Sequence, residues 1–240
     1  MKNRPIFSIS GLCFAAAAVL ALSAFAGQYA RAEDKPAAAQ TPATAAPSAP
    51  AATSPATPAA PATAEKPSDS PLPKMVIGDE KAPVTIVEYS SLSCPHCAAF
   101  HKEVFPKLKS TYIDAGKVRY EVREFPLNQP ALAGAVVVRC LDPSRVFPFI
   151  DLLFSHQEEW AFKDDALTPL KQLAKQAGLP EEKFNKCLDD ESLQKKILAV
   201  RTQGQKEGVN ATPTIFINGT KSKAITFDAI AEAIKPYLGS

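Results

Sequence analysis

The apolar positions between residues 84 and 125 change their spacing twice, and each change predicts a new element. Residues 84–89 are mostly β-branched or aromatic, which predicts a short buried strand. From Pro95 to Leu108 apolar residues recur every three or four positions, which predicts a helix with one apolar face. Residues 118–125 alternate between apolar and charged side chains, as in a second strand. The order is therefore strand, helix, strand.

The region from about residue 127 to residue 207 shows no strand pattern. Apolar side chains recur there at helical spacing in several successive segments. Gly178 followed by Pro180 marks the end of one of these helices and the start of the next. We therefore predict an all-helical insertion between two strand-containing parts of the chain.

Strand patterns return after the helical region. Residues 214–217 are β-branched or aromatic, Asn218-Gly219 is a hairpin-turn signal, and a second short strand is predicted near residues 223–226. A closing helix follows from Phe227 to Leu238. Spacing alone gives an α/β protein with a β-α-β half and a β-β-α half. This order resembles a thioredoxin-like fold with an inserted all-helical domain.

The first 32 residues predict export from the cytoplasm. Lys2 and Arg4 precede an apolar stretch, and Ala30-Arg31-Ala32 offers an A-x-A cleavage site for a signal peptide. The stretch is mostly alanine and is weakly apolar for a permanent anchor, so cleavage is favoured. An uncleaved membrane anchor is the alternative.

Composition and charge divide the remainder of the chain. Residues 33–73 are rich in Ala, Pro, Thr and Ser, which predicts a disordered linker, and residues 74–240 are long enough for one domain. Removing residues 1–32 lowers the basic residues from 27 to 24, since Lys2, Arg4 and Arg31 are lost, against 25 acidic ones. With a near-neutral mature chain and no basic patch, we expect no nucleic-acid partner.

The motif that carries chemistry is Cys94-Pro95-His96-Cys97. It lies where a buried strand turns into a helix, and proline suits the first helical turn. Unpaired N–H groups at a helix N-terminus favour a thiolate, so we expect a lowered pKa at Cys94, with His96 adding a donor or a positive charge. Cys94 is predicted to be the exposed sulfur that substrate attacks. Cys97, on the apolar helix face, is predicted to be the shielded leaving sulfur.

A C-x-x-C pair also begins many zinc sites, so a metal-binding or metallochaperone module is an alternative of a different class. Such a module would use Cys94, Cys97 and His101, the nearest further ligand in the sequence. We expect no metal and no cofactor, because Pro95 inside the pair is typical of redox sites. His101 is expected on the helix surface, and His156 with the adjoining Gln157 at a solvated helix end.

Four features together resemble the DsbA family of periplasmic thiol oxidases. They are the C-P-H-C motif after a strand, the acidic Glu88 six residues before it, the helical insertion, and Ala211-Thr212-Pro213-Thr214 before the last strand pair. The resemblance covers about residues 74–240. It implies that Pro213 is a cis-proline facing the dithiol, with Thr212 beside Cys94. Pro95, Thr212 and Pro213 are then the expected substrate-binding residues.

The resemblance also implies a role for Glu88 and a set of partners. Glu88 would be a buried acid beneath the active site and a candidate proton relay for Cys97. The protein would be periplasmic, would oxidise unfolded or folding exported proteins that carry thiols, and would itself be reoxidised by a quinone-linked membrane partner of the DsbB type. Threonine at 212 departs from the best-known oxidases, which carry valine there, so a disulfide isomerase or reductase is the alternative.

Cys140 and Cys187 are the two other cysteines of the predicted mature chain, and both lie on apolar stripes of the helical insertion. An oxidising compartment permits a structural disulfide between them, which would contribute about 2–4 kcal/mol. Two buried free thiols are the alternative. The even number of cysteines favours the disulfide.

Overall fold

The fold is described by a computed structural model for residues 71–239. Within them five strands form one sheet in the order β1-β3-β2-β4-β5. The central strand pairs in parallel with β3 and antiparallel with β4, and the two edge strands are antiparallel to their neighbours. The strands are β1 (Met75–Ile77), β2 (Val84–Ser90), β3 (Val118–Glu124), β4 (Thr214–Ile217) and β5 (Thr220–Ser222).

Helices join and cover these strands. One helical group connects β2 to β3, six helices lie between β3 and β4, and one helix closes the described chain. The helices are α1 (Pro95–Glu103), α2 (Phe105–Leu108), α3 (Gln129–Arg139), α4 (Val146–Ser155), α5 (Gln157–Trp160), α6 (Leu167–Gln176), α7 (Glu181–Leu188), α8 (Glu191–Lys206) and α9 (Phe227–Ile234). This arrangement confirms the predicted thioredoxin-like fold with an inserted helical region.

Two strands differ from the prediction. β1 was not predicted, because its three residues are too short a run to show alternation. β5 begins at Thr220, not near residue 223. Asn218 and Gly219 both have positive φ, 46° and 83°, as a two-residue hairpin turn requires, so pairing resumes directly with Ile217 opposite Thr220.

The predicted helix after Pro95 is interrupted. Val104 separates α1 from α2, and the chain continues in a π-helix at Lys109–Ile113. Pro106 supplies no backbone N–H and its ring crowds the preceding turn, so a regular helix cannot run through this point. Cys97, Phe100 and Leu108 nevertheless all point into the core, as the spacing predicted.

The sheet separates two apolar clusters. Ile86 faces the larger cluster, which includes α1 and α4, whereas Val87 and Tyr89 face the smaller one, against α3 and α8. Helix α8 approaches closely at Gly204, where an added Cβ would lie 2.7 Å from the Tyr89 ring. Successive residues of β2 thus point to opposite sides, which places Glu88 on the same side as α1.

The folded part begins before the predicted boundary at residue 74. Leu72 is buried in the smaller cluster, and Arg139 donates a hydrogen bond to the carbonyl oxygen of Pro73. The predicted signal peptide and nearly all of the predicted linker lie outside the described residues. Among residues 71–239 no helix is long and apolar enough to cross a membrane.

Candidate active site

The Cys-Pro-His-Cys motif lies at the N-terminus of α1. Cys94 is the N-cap and Pro95 the first helical residue, because proline needs no N–H partner there. The Cys94 N–H donates to the carbonyl oxygen of Ser91 at 2.9 Å, which holds the preceding turn. Both cysteines are free thiols. Pro95 and His96 are exposed to solvent.

The two cysteines differ less in exposure than expected. Cys97 is fully buried, with 0% of its surface exposed, but Cys94 is also only 5% exposed. The prediction of an exposed Cys94 is therefore wrong, because the residue is buried. The loop before β4 covers it, since the Cys94 thiol donates a hydrogen bond to the carbonyl oxygen of Thr212 at 3.2 Å.

The covering loop contains a cis peptide bond between Thr212 and Pro213. The Thr212 side chain is buried, and its hydroxyl has no hydrogen-bond partner among the described residues other than the Cys94 sulfur. The same hydroxyl lies close enough to the Cys94 sulfur to lower its pKa. The Thr212–Pro213 segment therefore lies directly against the motif at Cys94.

The surroundings of Cys94 favour its thiolate. Hydrogen bonding from the Cys97 thiol is the largest cause, and with Thr212 and the backbone N–H groups of His96 and Cys97 it outweighs burial. Together they lower the pKa of Cys94 from 9.0 to about 5. The helix N-terminus thus contributes as the sequence predicted.

The surroundings of Cys97 have the opposite effect. Burial raises its pKa far above the usual range, and hydrogen bonding to Cys94 and the charge of Glu88 raise it further. The Ser90 hydroxyl counteracts these effects only in part. Cys97 therefore keeps its proton when Cys94 is a thiolate, and the dithiol carries one negative charge.

Glu88 lies in the central strand and is completely buried, with 0% exposure. Burial alone would raise its pKa, but the charge and hydrogen bond of His101 and the hydroxyl groups of Tyr120 and Ser90 lower it overall. Its Oε2 accepts hydrogen bonds from His101 Nε2 at 3.0 Å and from the Tyr120 hydroxyl. Apart from Ser90 and Cys97, its Oε1 has no partner among the described residues. Glu88 is therefore a buried carboxylate in the central strand.

His101 was predicted on the helix surface, and this prediction is wrong. It lies four residues after Cys97, so both point from the same face of α1 into the core. Its Nδ1 pairs with Asp151 Oδ1 at 3.2 Å while Nε2 pairs with Glu88. Because both ring nitrogens are engaged by carboxylates, the geometry disfavours the alternative in which His101 and the two cysteines hold a metal.

Gln157 was expected at a solvated helix end and is instead buried beside the motif. Its side-chain amide donates to the carbonyl oxygens of Leu92 at 2.8 Å and Cys94 at 3.1 Å. Helix α5 of the insertion is thereby tied to the active-site loop. No local pattern in the sequence indicates this contact, because the partners lie more than 60 residues apart along the chain.

The remaining two cysteines are separate from this site. Cys140 and Cys187 form a disulfide that links the C-terminal end of α3 to α7. Both residues lie within the helical insertion and pack against the smaller apolar cluster.

A profile of the thioredoxin family matches residues 71–236. The crystal structure of alpha-DsbA1 from Wolbachia pipientis is 33% identical, covers 71% of this chain and 94% of its own, and superposes with a TM-score of 0.66. The chain belongs to the DsbA-like group of the thioredoxin family. The oxidised BdbD structure from Bacillus subtilis, at 28% identity, covers 70% of this chain and 94% of its own with a TM-score of 0.64.

Relatives of this DsbA-like chain carry names in the same class. Disulfide bond formation protein D of Bacillus subtilis is 31% identical over 176 residues, which cover 68% of this chain and 76% of the relative. A Rickettsia prowazekii protein with the name putative protein-disulfide oxidoreductase is 32% identical over 166 residues, or 68% of this chain. The match spans only 61% of the length of the Rickettsia protein.

Proposed function

We propose that this DsbA-like chain is a thiol-disulfide oxidoreductase that donates the Cys94–Cys97 disulfide to exported proteins. The observation that carries the proposal is the opposed shift of the two thiol pKa values, lowered at Cys94 and raised at Cys97. A thiolate held at Cys94 stabilises the dithiol form of the protein. The disulfide form is then a strong oxidant, because its reduction is favoured.

The reaction follows from these positions. A substrate thiolate attacks the Cys94 sulfur, the Cys94–Cys97 bond breaks, and its electron pair goes to Cys97, which takes up a proton. A second substrate thiolate then attacks the mixed disulfide and releases Cys94 as its stabilised thiolate. Two electrons pass from the substrate dithiol to the enzyme, and the substrate gains one disulfide.

Thr212, Pro213 and Pro95 support the substrate in this proposal. The Thr212 carbonyl oxygen already lies 3.2 Å from the Cys94 sulfur, so an extended chain that runs along residues 212–213 passes directly over the reacting atom. Pro95 and His96 are exposed beside it. His96 additionally supplies its backbone N–H to the Cys94 thiolate.

The proposal places the protein in the periplasm. Residues 1–32 have the pattern of a cleaved signal peptide, and an oxidising compartment suits the Cys140–Cys187 disulfide. The substrates are unfolded or folding exported proteins with thiols. After each reaction the dithiol needs an oxidant, and a membrane reoxidase of the DsbB type, linked to quinones, fits the family.

The test is transfer of the disulfide to a reduced synthetic peptide that contains two cysteines. The oxidised full-length protein is mixed with the peptide, and the reaction is quenched with acid. Free thiols are then alkylated, and the masses of the peptide and the protein are measured by mass spectrometry. We expect peptide disulfide and enzyme dithiol in equal amounts, and none with Cys94→Ser. Failure of the native protein to oxidise the peptide would overturn the proposal.

An isomerase or reductase is the second candidate, and Thr212 is the observation that favours it. Threonine replaces the valine expected of the best-known oxidases, and its hydroxyl lies next to Cys94. The redox state of Cys94 and Cys97 in intact cells, trapped by acid and thiol labelling, separates the candidates. The disulfide at steady state supports the oxidase, and the dithiol supports an isomerase or reductase.

A further inference from the structure

His101 is buried between two carboxylates of unequal exposure. The side chain of His101 is 1% exposed and that of Glu88 is 0% exposed, whereas the Asp151 side chain is 47% exposed. The imidazole therefore connects a solvent-accessible acid on α4 with a fully buried acid on β2. Aromatic rings of Phe105 and Phe154 lie against the imidazole, with centroids at 4.9 Å and 4.5 Å, and fix its plane.

The outer end of this connection opens on a cleft beside α1. The cleft has a volume of about 470 Å³, and His101 and Asp151 line it together with Lys102, Ser155 and Glu158. Water in the cleft can reach the Asp151 carboxylate directly. The imidazole closes the inner end of the cleft.

The inner end of the connection lies beside Cys97. Glu88 Oε1 and the Ser90 hydroxyl are both buried, and neither has a hydrogen-bond partner among the described residues outside the group formed by Glu88, Ser90 and Cys97. Both act on the pKa of the Cys97 thiol, Glu88 through its charge and Ser90 through its hydroxyl. The Ser90 hydroxyl lowers the pKa of both Glu88 and Cys97 by hydrogen bonding, so it lies between the carboxylate and the thiol.

The proposed redox reaction requires a proton at this position. Cys97 takes up one proton each time the disulfide is opened and releases one each time it is formed, yet Cys97 is 0% exposed. Solvent cannot deliver that proton directly. A carboxylate alone cannot deliver it either, because Glu88 is equally closed to water.

We propose that His101 and Asp151 form the path along which protons pass between solvent and Glu88, and from Glu88 to and from Cys97. This inference rests on the proposed function. When the disulfide opens, a proton passes from His101 to Glu88 and from Glu88 to Cys97. Water at Asp151 then returns a proton to His101. On closure every transfer reverses. His101 touches no substrate and is a positioning residue that acts through Glu88.

The charged and titratable groups around His101 suit this task. Burial lowers the pKa of His101, but the charge of Glu88 and the hydrogen bond to Asp151 raise it overall, to about 9. Tyr120, from β3, also donates a hydrogen bond to Glu88, and burial raises the pKa of Tyr120 so that it stays protonated. His101 therefore holds a transferable proton at neutral pH.

The experiment measures how fast the two-cysteine peptide reduces the Cys94–Cys97 disulfide in full-length protein, by rapid acid quench and alkylation. His101→Ala is compared with the native protein and with the matched control His156→Ala, which removes a half-exposed histidine whose ring pairs with Glu159 in the described part of the chain. We expect the exchange rate of His101→Ala to fall by about 100-fold or more, the range for a lost proton-transfer group, and the rate of the control to be unchanged.

Rescue separates proton transfer from a structural role. Imidazole added to the buffer can enter the space left by His101→Ala through the cleft, and we expect it to restore most of the rate. Pyrazole, a ring of the same size that stays uncharged, should not. Native protein should lose rate as pH rises through about 9, and His101→Ala should lack that transition. Asp151→Asn, at a partly exposed position, should slow the reaction with little effect on folding.

The outcomes are distinguishable. If the native protein fails to exchange with the peptide, the proposed function itself is wrong. If the native protein exchanges and His101→Ala and Asp151→Asn match its rate and pH profile, the proton path is wrong. Equal rescue by imidazole and pyrazole would assign His101 a packing role and also overturn the path.

Discussion

The Cys94 thiol donates a hydrogen bond to the carbonyl oxygen of Thr212 at 3.2 Å, across 118 residues of sequence. The backbone that precedes Pro213 is thus in direct contact with the sulfur that reacts. The side chain of the same threonine contributes separately, because its hydroxyl lowers the pKa of Cys94. Backbone and side chain of one residue therefore act on the same atom in two ways.

Replacing Thr212 by valine removes the hydroxyl and preserves the branched shape. We expect the pKa of Cys94 to rise above about 5, by roughly one unit, since a hydrogen bond to a charged group contributes about 1.5 kcal/mol. The ultraviolet absorbance of the thiolate as a function of pH measures this change. Thr214→Val is the matched control, because its hydroxyl donates to Ala211 and not to the cysteine. Equal pKa values in both variants would contradict the assignment.

Replacing Cys97 tests the largest cause of the low pKa at Cys94. Without the Cys97 thiol as a donor, Cys97→Ala should raise the pKa of Cys94 well above about 5, whereas Cys97→Ser retains a hydroxyl donor and should raise it less. The rate of alkylation by iodoacetamide between pH 4 and pH 9 reports the thiolate fraction. If alanine and serine give the same profile, hydrogen bonding from residue 97 is not the cause.

The pKa of Cys94 also links the redox state to stability. It is lowered from 9.0 to about 5 in the folded dithiol, so its contribution to stability is full above pH 9 and is lost as pH falls through about 5. The disulfide form has no such group. Thermal unfolding should therefore show a dithiol form whose Tm advantage over the disulfide form grows from pH 5 to pH 8. A difference independent of pH would argue against a stabilised thiolate.

The Cys140–Cys187 disulfide should affect stability and leave the chemistry intact. It closes a loop with a sequence separation of 47, so the double variant Cys140→Ala with Cys187→Ala should lose about 2–4 kcal/mol of unfolding free energy. Urea unfolding of the native and variant proteins measures the loss. Peptide oxidation at room temperature should proceed at the native rate, and a large decrease would mean that the insertion needs this bond to support the active site.

Local patterns in the sequence predicted the elements that carry the motif, because β2, α1 and β3 each bury a face with a regular repeat. They missed β1, which is three residues long and acquires its role only by pairing with β3. The spacing also contains a signal for the position of His101. A residue four positions after Cys97 shares its helix face, so burial of His101 could have been expected.

The contacts that complete the site depend on tertiary structure. Glu88 was placed under the motif by family resemblance, but its partners Tyr120 and His101 come from β3 and α1. Asp151, which pairs with His101, comes from α4. The loop at Thr212 reaches Cys94 only because β4 lies beside β2. Such contacts between distant segments leave no periodic trace in the chain.

Gln157 shows that the active-site loop depends on the helical insertion for part of its hydrogen bonding. Its side-chain amide, on helix α5 of the insertion, donates hydrogen bonds to the carbonyl oxygens of Leu92 and Cys94. Both oxygens belong to the backbone segment that leads into α1. A thioredoxin core without α5 would have to supply other donors for these two oxygens. The helical insertion thus supports the backbone that positions the Cys94 sulfur. Substitutions in α5 should therefore affect the reactivity of Cys94 without contacting its sulfur.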